Sequence, residues 1–258
     1  MCQFLKHHFF INVLKRYFPA LLCSLLVCCG PKNADTRSEA LYSTIPSAID
    51  TNAAITNHKS QVNDFVPSGY KLFDTIKGDL NNDGFEDCVL IIKGTDSSKV
   101  ITDAFRGVVD RNRRGMIILI NKNNHYDLFM KHLNCFASDC EDGGVYYAPE
   151  LSVEIKKCKL YIYYRHGRYG FWGYVFRHQN LDFELIGYSS SENQGPIVVS
   201  ETSINFSTKE KIVKVNTNLE ISESGEEVFE TIKSKISTTK LFKLSEIKDF
   251  DQLDLSHF

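Results

Sequence analysis

The stretch DLNNDGFEDCVLII, Asp79 to Ile92, decides the reading of the chain. In its first part oxygen-bearing side chains recur at every second position around a glycine that permits a sharp turn. Asp79, Asn81 and Asp83 occupy loop positions one, three and five, Phe85 offers its backbone carbonyl at seven, and Asp87 brings a carboxylate at nine. That spacing predicts a calcium loop over 79–87, because clustered carboxylates repel one another unless a cation sits among them. The competing reading is an Asp/Asn/Gly-rich turn that holds no metal. An EF-hand would need a bidentate glutamate at position twelve and a following amphipathic helix, and Leu90 stands at that position. The loop runs instead into CVLII, a short apolar run rich in β-branched residues and closed by Lys93-Gly94, which predicts a buried strand.

Working outward, Tyr70 to Ile76 predicts the strand entering the loop. Met116 to Ile120 is a second continuous apolar run, and Tyr126 to Leu133 comes after it across the turn composition Asn-Lys-Asn-Asn. Leu151 to Ile155 and Leu160 to Tyr164 flank a lysine-rich turn. Phe171 to Arg177 faces Phe183 to Tyr188 across 178–182, and Ile204 to Phe206 with Ile212 to Val215 forms a last hairpin. Helical signals are read near Glu226 to Ile236, and Leu244 to Phe250 adds a helical turn. Successive strands without intervening helices imply a mainly β fold, an antiparallel meander forming a curved sheet or a small propeller-like body, with a minor C-terminal helix. A full propeller is disfavoured, since the DxNxDG loop has no second copy at a fixed period.

The first 29 residues have a basic front, then an apolar stretch from Phe18 to Cys28, then Cys29-Gly30-Pro31, the plan of a secretory leader. The apolar stretch is shorter than the ~20 residues of a membrane-spanning helix. Residues 30–68 are rich in Ser, Thr, Asn and Ala and predict a flexible tether, with a short helix over Ala40 to Ile49 as an option, so that the β-rich domain spans 69–258. At 258 residues and 43% hydrophobic content, the chain has enough material for a packed core. Its net charge is −2, and removing Lys6, Lys15 and Arg16 of the leader leaves 27 basic against 32 acidic residues, a balance of −5. This mildly acidic balance argues against nucleic acid. The one dense basic cluster, Arg111, Arg113 and Arg114, is read as a solvated turn.

Outside the cytoplasm, Cys88, Cys135, Cys140 and Cys158 are able to pair. Cys135 and Cys140 close the smallest loop and are the first candidates for a disulfide, although four cysteines allow three connectivities. Two stretches are candidates for chemistry. YIYYRHGRYGFWGYVFRH, from Tyr161 to His178, crowds aromatics, Arg and His around three glycines, and Arg165, His166, Arg168 and Trp172 are its candidate ligand-binding residues. At period two, Trp172, Tyr174 and Phe176 share one face, and Tyr161 and Tyr163 share a face on the preceding strand. Such a row serves either as a sugar-stacking platform or, the favoured reading, as sheet core. The second stretch, CEDGGVYYAPE, offers Glu141, Asp142 and Glu150, and a carboxylate pair there would suit a glycan hydrolase acting through residues around 141–178. Known nucleophile, P-loop and dinucleotide motifs are absent, so no catalytic residue is assigned and a binding role is preferred.

The loop-then-strand order, with D-x-[DN]-x-DG-x-x-D spacing, resembles the calcium loops of FG-GAP and VCBS-type repeats over about a dozen residues. The ending LVCCG resembles a bacterial lipobox, which makes Cys29 the expected lipidated residue; Cys28 is the alternative, because it stands where Gly, Ala or Ser is usual. From Asp79 to about Phe250 the chain resembles a group of lipoproteins of Gram-negative bacteria, through GDLNNDGFED, VDRNRRG, EDGGVYYAPELS, YRHGRYG, SETSINF, SGEEVFE and LSEIKDFD. The resemblance implies a protein of the cell envelope, lipid-anchored at the outer membrane, with an envelope glycan or protein as partner. It brings no reaction with it, since the group has none assigned.

Overall fold

Val89 and Ile91 point to one face of their strand, and Cys88, Leu90 and Ile92 to the other; all five are buried. An antiparallel strand usually alternates apolar with polar, and a continuous apolar run means that both faces are covered. The computed structural model describes residues 58–140, 150–219, 226–238, 240–253, 255 and 258, all within the compact unit 52–258. The fold is mainly β, with 58% strand, 9% short helical turns and no helix of seven residues or more among the described residues. Its sheets are antiparallel, and one is curled into a half-barrel.

The strands are β1 (His58–Lys59), β2 (Tyr70–Gly78), β3 (Asp87–Gly94), β4 (Val100–Asp103), β5 (Gly107–Asp110), β6 (Arg114–Asn121), β7 (Tyr126–Phe136), β8 (Glu150–Ile155), β9 (Lys159–Arg165), β10 (Gly170–Gln179), β11 (Asp182–Gln194), β12 (Ile197–Asn205), β13 (Glu210–Asn216) and β14 (Phe229–Lys235). A five-stranded sheet runs in the order β1-β7-β6-β3-β2, and a seven-stranded sheet follows chain order from β8 to β14. The pair β4–β5 stands apart as a small hairpin. Register shifts between Val175 and Phe176 and between Glu192 and Asn193 put extra residues into the long strands. Bulges of this kind increase local twist and bend a sheet.

Two apolar clusters sit on the two faces of the five-stranded sheet. The larger joins Val89, Ile91, Met116 and Ile118 to Leu160, Ile162, Tyr174, Phe176 and Phe183 of the seven-stranded sheet, and to Ile247 and Phe250 of the tail. Phe250 stacks on Phe136 at 5.0 Å, so the tail closes the core. Burying one such phenylalanine contributes roughly 1.5–3 kcal/mol. The smaller cluster gathers Cys88, Leu90, Ile92, Ile117 and Leu119 under Phe65.

The meander expected from the sequence is present, with two corrections. The helical signal over 226–236 gives way to β14, which pairs with β13 from Glu210↔Lys235 to Asn216↔Phe229. Its Glu and Lys residues suit a helix, but the open edge of β13 and an alternation with exposed charge suit an edge strand equally. The tail carries the expected helical turn, as single turns of 3-10 helix at Leu244–Glu246 and Phe250–Gln252. The folded body also begins before the expected boundary at residue 68, because β1 pairs with β7 and Phe65 is buried in the turn Val62–Phe65. The leader, Cys28, Cys29 and the optional helix over 40–49 lie outside the described residues.

Candidate functional site

The loop between β2 and β3 is built by its own side chains. The two carboxylate oxygens of Asp79 accept the N–H groups of Asn82 (2.6 Å) and Gly84 (3.0 Å). Asn81 Oδ1 accepts Asp83 N at 2.9 Å, and Asp83 Oδ1 accepts Phe85 N at 2.9 Å. Gly84 sits at φ +87°, which a side chain would strain. Each of these oxygens keeps a further lone pair, and with the Phe85 carbonyl they are the donor type that an oxygen-seeking cation such as calcium takes.

Asp87 differs from the other three. Its side chain is 0% exposed, Oδ2 accepts Leu80 N at 2.8 Å and Oδ1 accepts Asn121 N at 2.9 Å. It therefore clamps the loop to the β6–β7 turn. Burial pushes its pKa up, the Asp83 and Asp79 charges add to the rise, and the N–H groups of Asn121 and Leu80 oppose it. Position nine of such loops often meets the ion through a water, which agrees with a carboxylate already committed to the backbone. Asp83 titrates low, chiefly because Phe85 N donates to it. On the far side, the Cys158 thiol donates to Asn82 Oδ1 at 3.3 Å, which brings the β8–β9 turn against the loop.

The aromatic stretch lies on β9 and β10. Register pairs Trp172 with Tyr164, Tyr174 with Ile162 and Phe176 with Leu160. Tyr174 and Phe176 are core, and Trp172 packs half-buried against them, with its Nε1 buried and without a hydrogen-bond partner. The row is thus mainly sheet core, with Trp172 at its rim. Tyr163 points to the opposite face and stacks on Phe171 at 4.9 Å. Gly170, at φ +105°, allows the close approach of Ser191, whose carbonyl oxygen a Cβ would meet at 1.8 Å. His166 stacks on Trp172, whereas Arg165 and Arg168 are exposed. Of the expected ligand residues, the structure thus brings His166 and Trp172 together. Glu150 begins β8 opposite Arg165 and is exposed. Glu141 and Asp142 lie outside the described residues.

The basic cluster is a solvated turn only at Arg111, which is exposed. Arg114 is 3% exposed, donates from Nε to Ala137 O at 2.9 Å and lies over the Phe73 ring. Arg113 reaches Asp249 at 2.8 Å and Asp251 at 3.7 Å, tying the tail to the five-stranded sheet. Burial and the neighbouring Asp249 charge raise the pKa of Asp251, against Arg113, His166 and Arg114. The bridge expected between Cys135 and Cys140 is not formed: Cys88, Cys135, Cys140 and Cys158 are all free. Cys135 is buried at the end of β7 with its Sγ toward His132 O, while Cys140 lies beyond the strand beside Lys93 and Asp139.

Sequence reading missed one constellation altogether. Among the described residues, the group of three metal-type side chains whose donor atoms all lie within 4.8 Å of one another is His58, His125 and Asp127. The pattern His125-x-Asp127 was visible at period two, but His58 comes from another strand, and pairing across the sheet is what joins them. No helix of the described residues is long and apolar enough to cross a membrane. Comparison of the chain with protein-family models, curated proteins and solved structures finds no match.

Proposed function

We propose that the chain is a lipid-anchored protein of the bacterial envelope whose β-rich body is stabilised by calcium at 79–87, and that it acts by binding or structural support. The observation that supports the calcium reading is electrostatic. Three carboxylates, Asp79, Asp83 and Asp87, share one turn; Asp87 is fully buried, and the charges of the other two oppose its ionisation. A cation seated on Asp79, Asn81, Asp83 and the Phe85 carbonyl offsets that repulsion. Support for binding over catalysis comes from the sequence, in which known nucleophile, P-loop and dinucleotide motifs are absent. The partner is an envelope glycan or protein, reached from a tether whose lipid sits on Cys29.

Thermal melts of the protein with millimolar calcium and with chelator test the metal. Calcium raises Tm, Asp83→Ala removes the increment and Asp96→Ala keeps it. Asp96 caps a neighbouring turn through Ser98, so the comparison is of increments and not of absolute Tm. Superimposable melts with calcium and with chelator would sink the calcium reading. Mass spectrometry of the mature N-terminus tests the anchor, and an unmodified terminus would leave simple secretion in its place.

A further inference from the structure

We propose that His58, His125 and Asp127 form a second metal site, selective for a zinc-class divalent transition metal and chemically distinct from the oxygen loop at 79–87. The site arises from sheet geometry. His58 on β1 lies directly opposite Asp127 on β7, and His125, two residues before Asp127, takes the same face by the strand's period of two. His58 Nδ1 stands 2.7 Å and His125 Nε2 3.2 Å from the same carboxylate oxygen, Asp127 Oδ1. Ligands at tetrahedral corners around zinc lie about 3.3 Å apart, given Zn–N and Zn–O bonds of about 2.0–2.1 Å. The two contacts to Asp127 lie near that spacing and all three donors lie within 4.8 Å of one another, with the fourth corner left to water.

Hydrogen-bond accounting at His125 supports a cation there. Its Nδ1 lies 2.6 Å from Asn124 Oδ1, an oxygen that only accepts, and with the amide turned that way Nδ1 carries the proton. In the neutral ring Nε2 then turns a lone pair toward Asp127 Oδ1, and two lone pairs facing each other need a positive centre between or beside them. A second ring proton or a metal ion supplies it, and with a metal the Nδ1–H to Asn124 bond is the orienting contact that metal-bound imidazoles commonly make. Two imidazoles with one carboxylate suit zinc, copper or nickel and do not suit calcium or magnesium, which seek oxygen. The side chains of His58, His125 and Asp127 are 61%, 36% and 33% exposed, so the ion has an open path. Its occupancy would fasten β1, only two residues long, onto the start of β7.

Titrating Co²⁺ into the full chain tests the site. The first equivalent is expected to give visible ligand-field bands with no thiolate charge-transfer band; Zn²⁺ displaces it, and millimolar Ca²⁺ does not. His58→Ala, His125→Gln and Asp127→Asn each weaken binding at least tenfold while keeping the far-UV circular dichroism spectrum, and Asn124→Ala weakens it by about tenfold. Absence of cobalt binding overturns the proposal. So does a thiolate band, which would assign the metal to cysteine, or an affinity that His125→Gln and Asp127→Asn leave unchanged. Because calcium is silent in this assay and cobalt is read by its own spectrum, the outcome stands apart from that of the calcium loop.

Discussion

His166 lies flat against Trp172, with ring centroids 3.7 Å apart and planes inclined by 23°. Tyr164 stands beside both rings, 5.5 Å from Trp172 and 5.1 Å from His166, so the three form a triangular cluster at the edge of the core. Replacing Trp172 by Ala removes both contacts and opens a path to Tyr164. The expected cost is about 3 kcal/mol, the lower end of the range for a core tryptophan, because this one is only half-buried. Trp172 is the single tryptophan of the chain, so its fluorescence reports the stack directly. His166→Ala should shift the emission to longer wavelength as water reaches the ring. If Trp172→Ala instead kept the melting temperature of the parent and lost a glycan ligand, the row would be an exposed platform.

Thiol reactivity tracks burial. Desolvation pushes the Cys88 thiol up to about 11 and the Cys135 thiol up to about 12, and the thiolate is the reactive form. Burial and the Asp139 charge raise Cys140 as well. In the folded protein iodoacetamide at neutral pH should modify Cys158 first and Cys140 more slowly, leaving Cys88 and Cys135 untouched until denaturant is added. Peptide mapping checks the order. Protection of Cys140 together with Cys135, lifted only by reductant, would show that the two are bridged after all.

How far the sequence was legible depended on distance along the chain. Local signals read well: CVLII and MIILI announced β3 and β6, and the alternation of Trp172, Tyr174 and Phe176 announced a core face. β14 was misread because charge-rich composition serves an exposed edge strand as well as a helix, and the open edge of β13 decided between them. Arg113 and Arg114 looked like a solvated turn, since their partners Asp249 and Ala137 arrive from distant segments. Asp87 reads as a ligand in the sequence, whereas its clamp on Asn121 requires knowing that β3 and β6 are neighbours. The trio at His58 was invisible for the same reason.

Lys93 provides an electrostatic test of the sheet. Its ammonium, 3% exposed, lies 2.9 Å from Asp110 Oδ2 and also bonds Asp139. Burial alone would lower its pKa, but the hydrogen bonds it donates to Asp139 and Asp110 outweigh burial and raise it. A raised pKa means that this contribution is fully present below the unfolded value of 10.5 and is lost as pH climbs through the higher folded value. Lys93→Met should cost about 3–5 kcal/mol at neutral pH, because it strands two carboxylates in a partly buried site. It should also remove part of the alkaline fall in stability seen in the parent. A parent and variant with parallel stability curves above pH 10 would show that the pair carries no such linkage.

The pH dependence of calcium stabilisation tests the role of Asp87. Its folded pKa is raised, so the proton it holds favours the folded state below the unfolded value of 3.8, and that advantage is lost as pH rises through the folded value. Above that window the folded protein carries an ionised, buried carboxylate beside Asp79 and Asp83, which calcium is expected to offset. The calcium increment in Tm should therefore be small in acid, where carboxylates are protonated, and grow as pH rises through the folded pKa of Asp87. At a hundredfold excess over Kd a ligand of the native state adds about 2.7 kcal/mol. Magnesium should substitute poorly, since it demands a tight octahedron and keeps its waters. Asp87→Asn should cost about 1–3 kcal/mol even without calcium, because an amide keeps one acceptor oxygen for two N–H groups, those of Leu80 and Asn121. The same variant should lower the calcium increment without abolishing it, in contrast to Asp83→Ala, because Asp87 stands behind the ligand ring. Were Asp87→Asn to erase the increment as fully as Asp83→Ala does, Asp87 would have to leave its clamp and bind the ion directly.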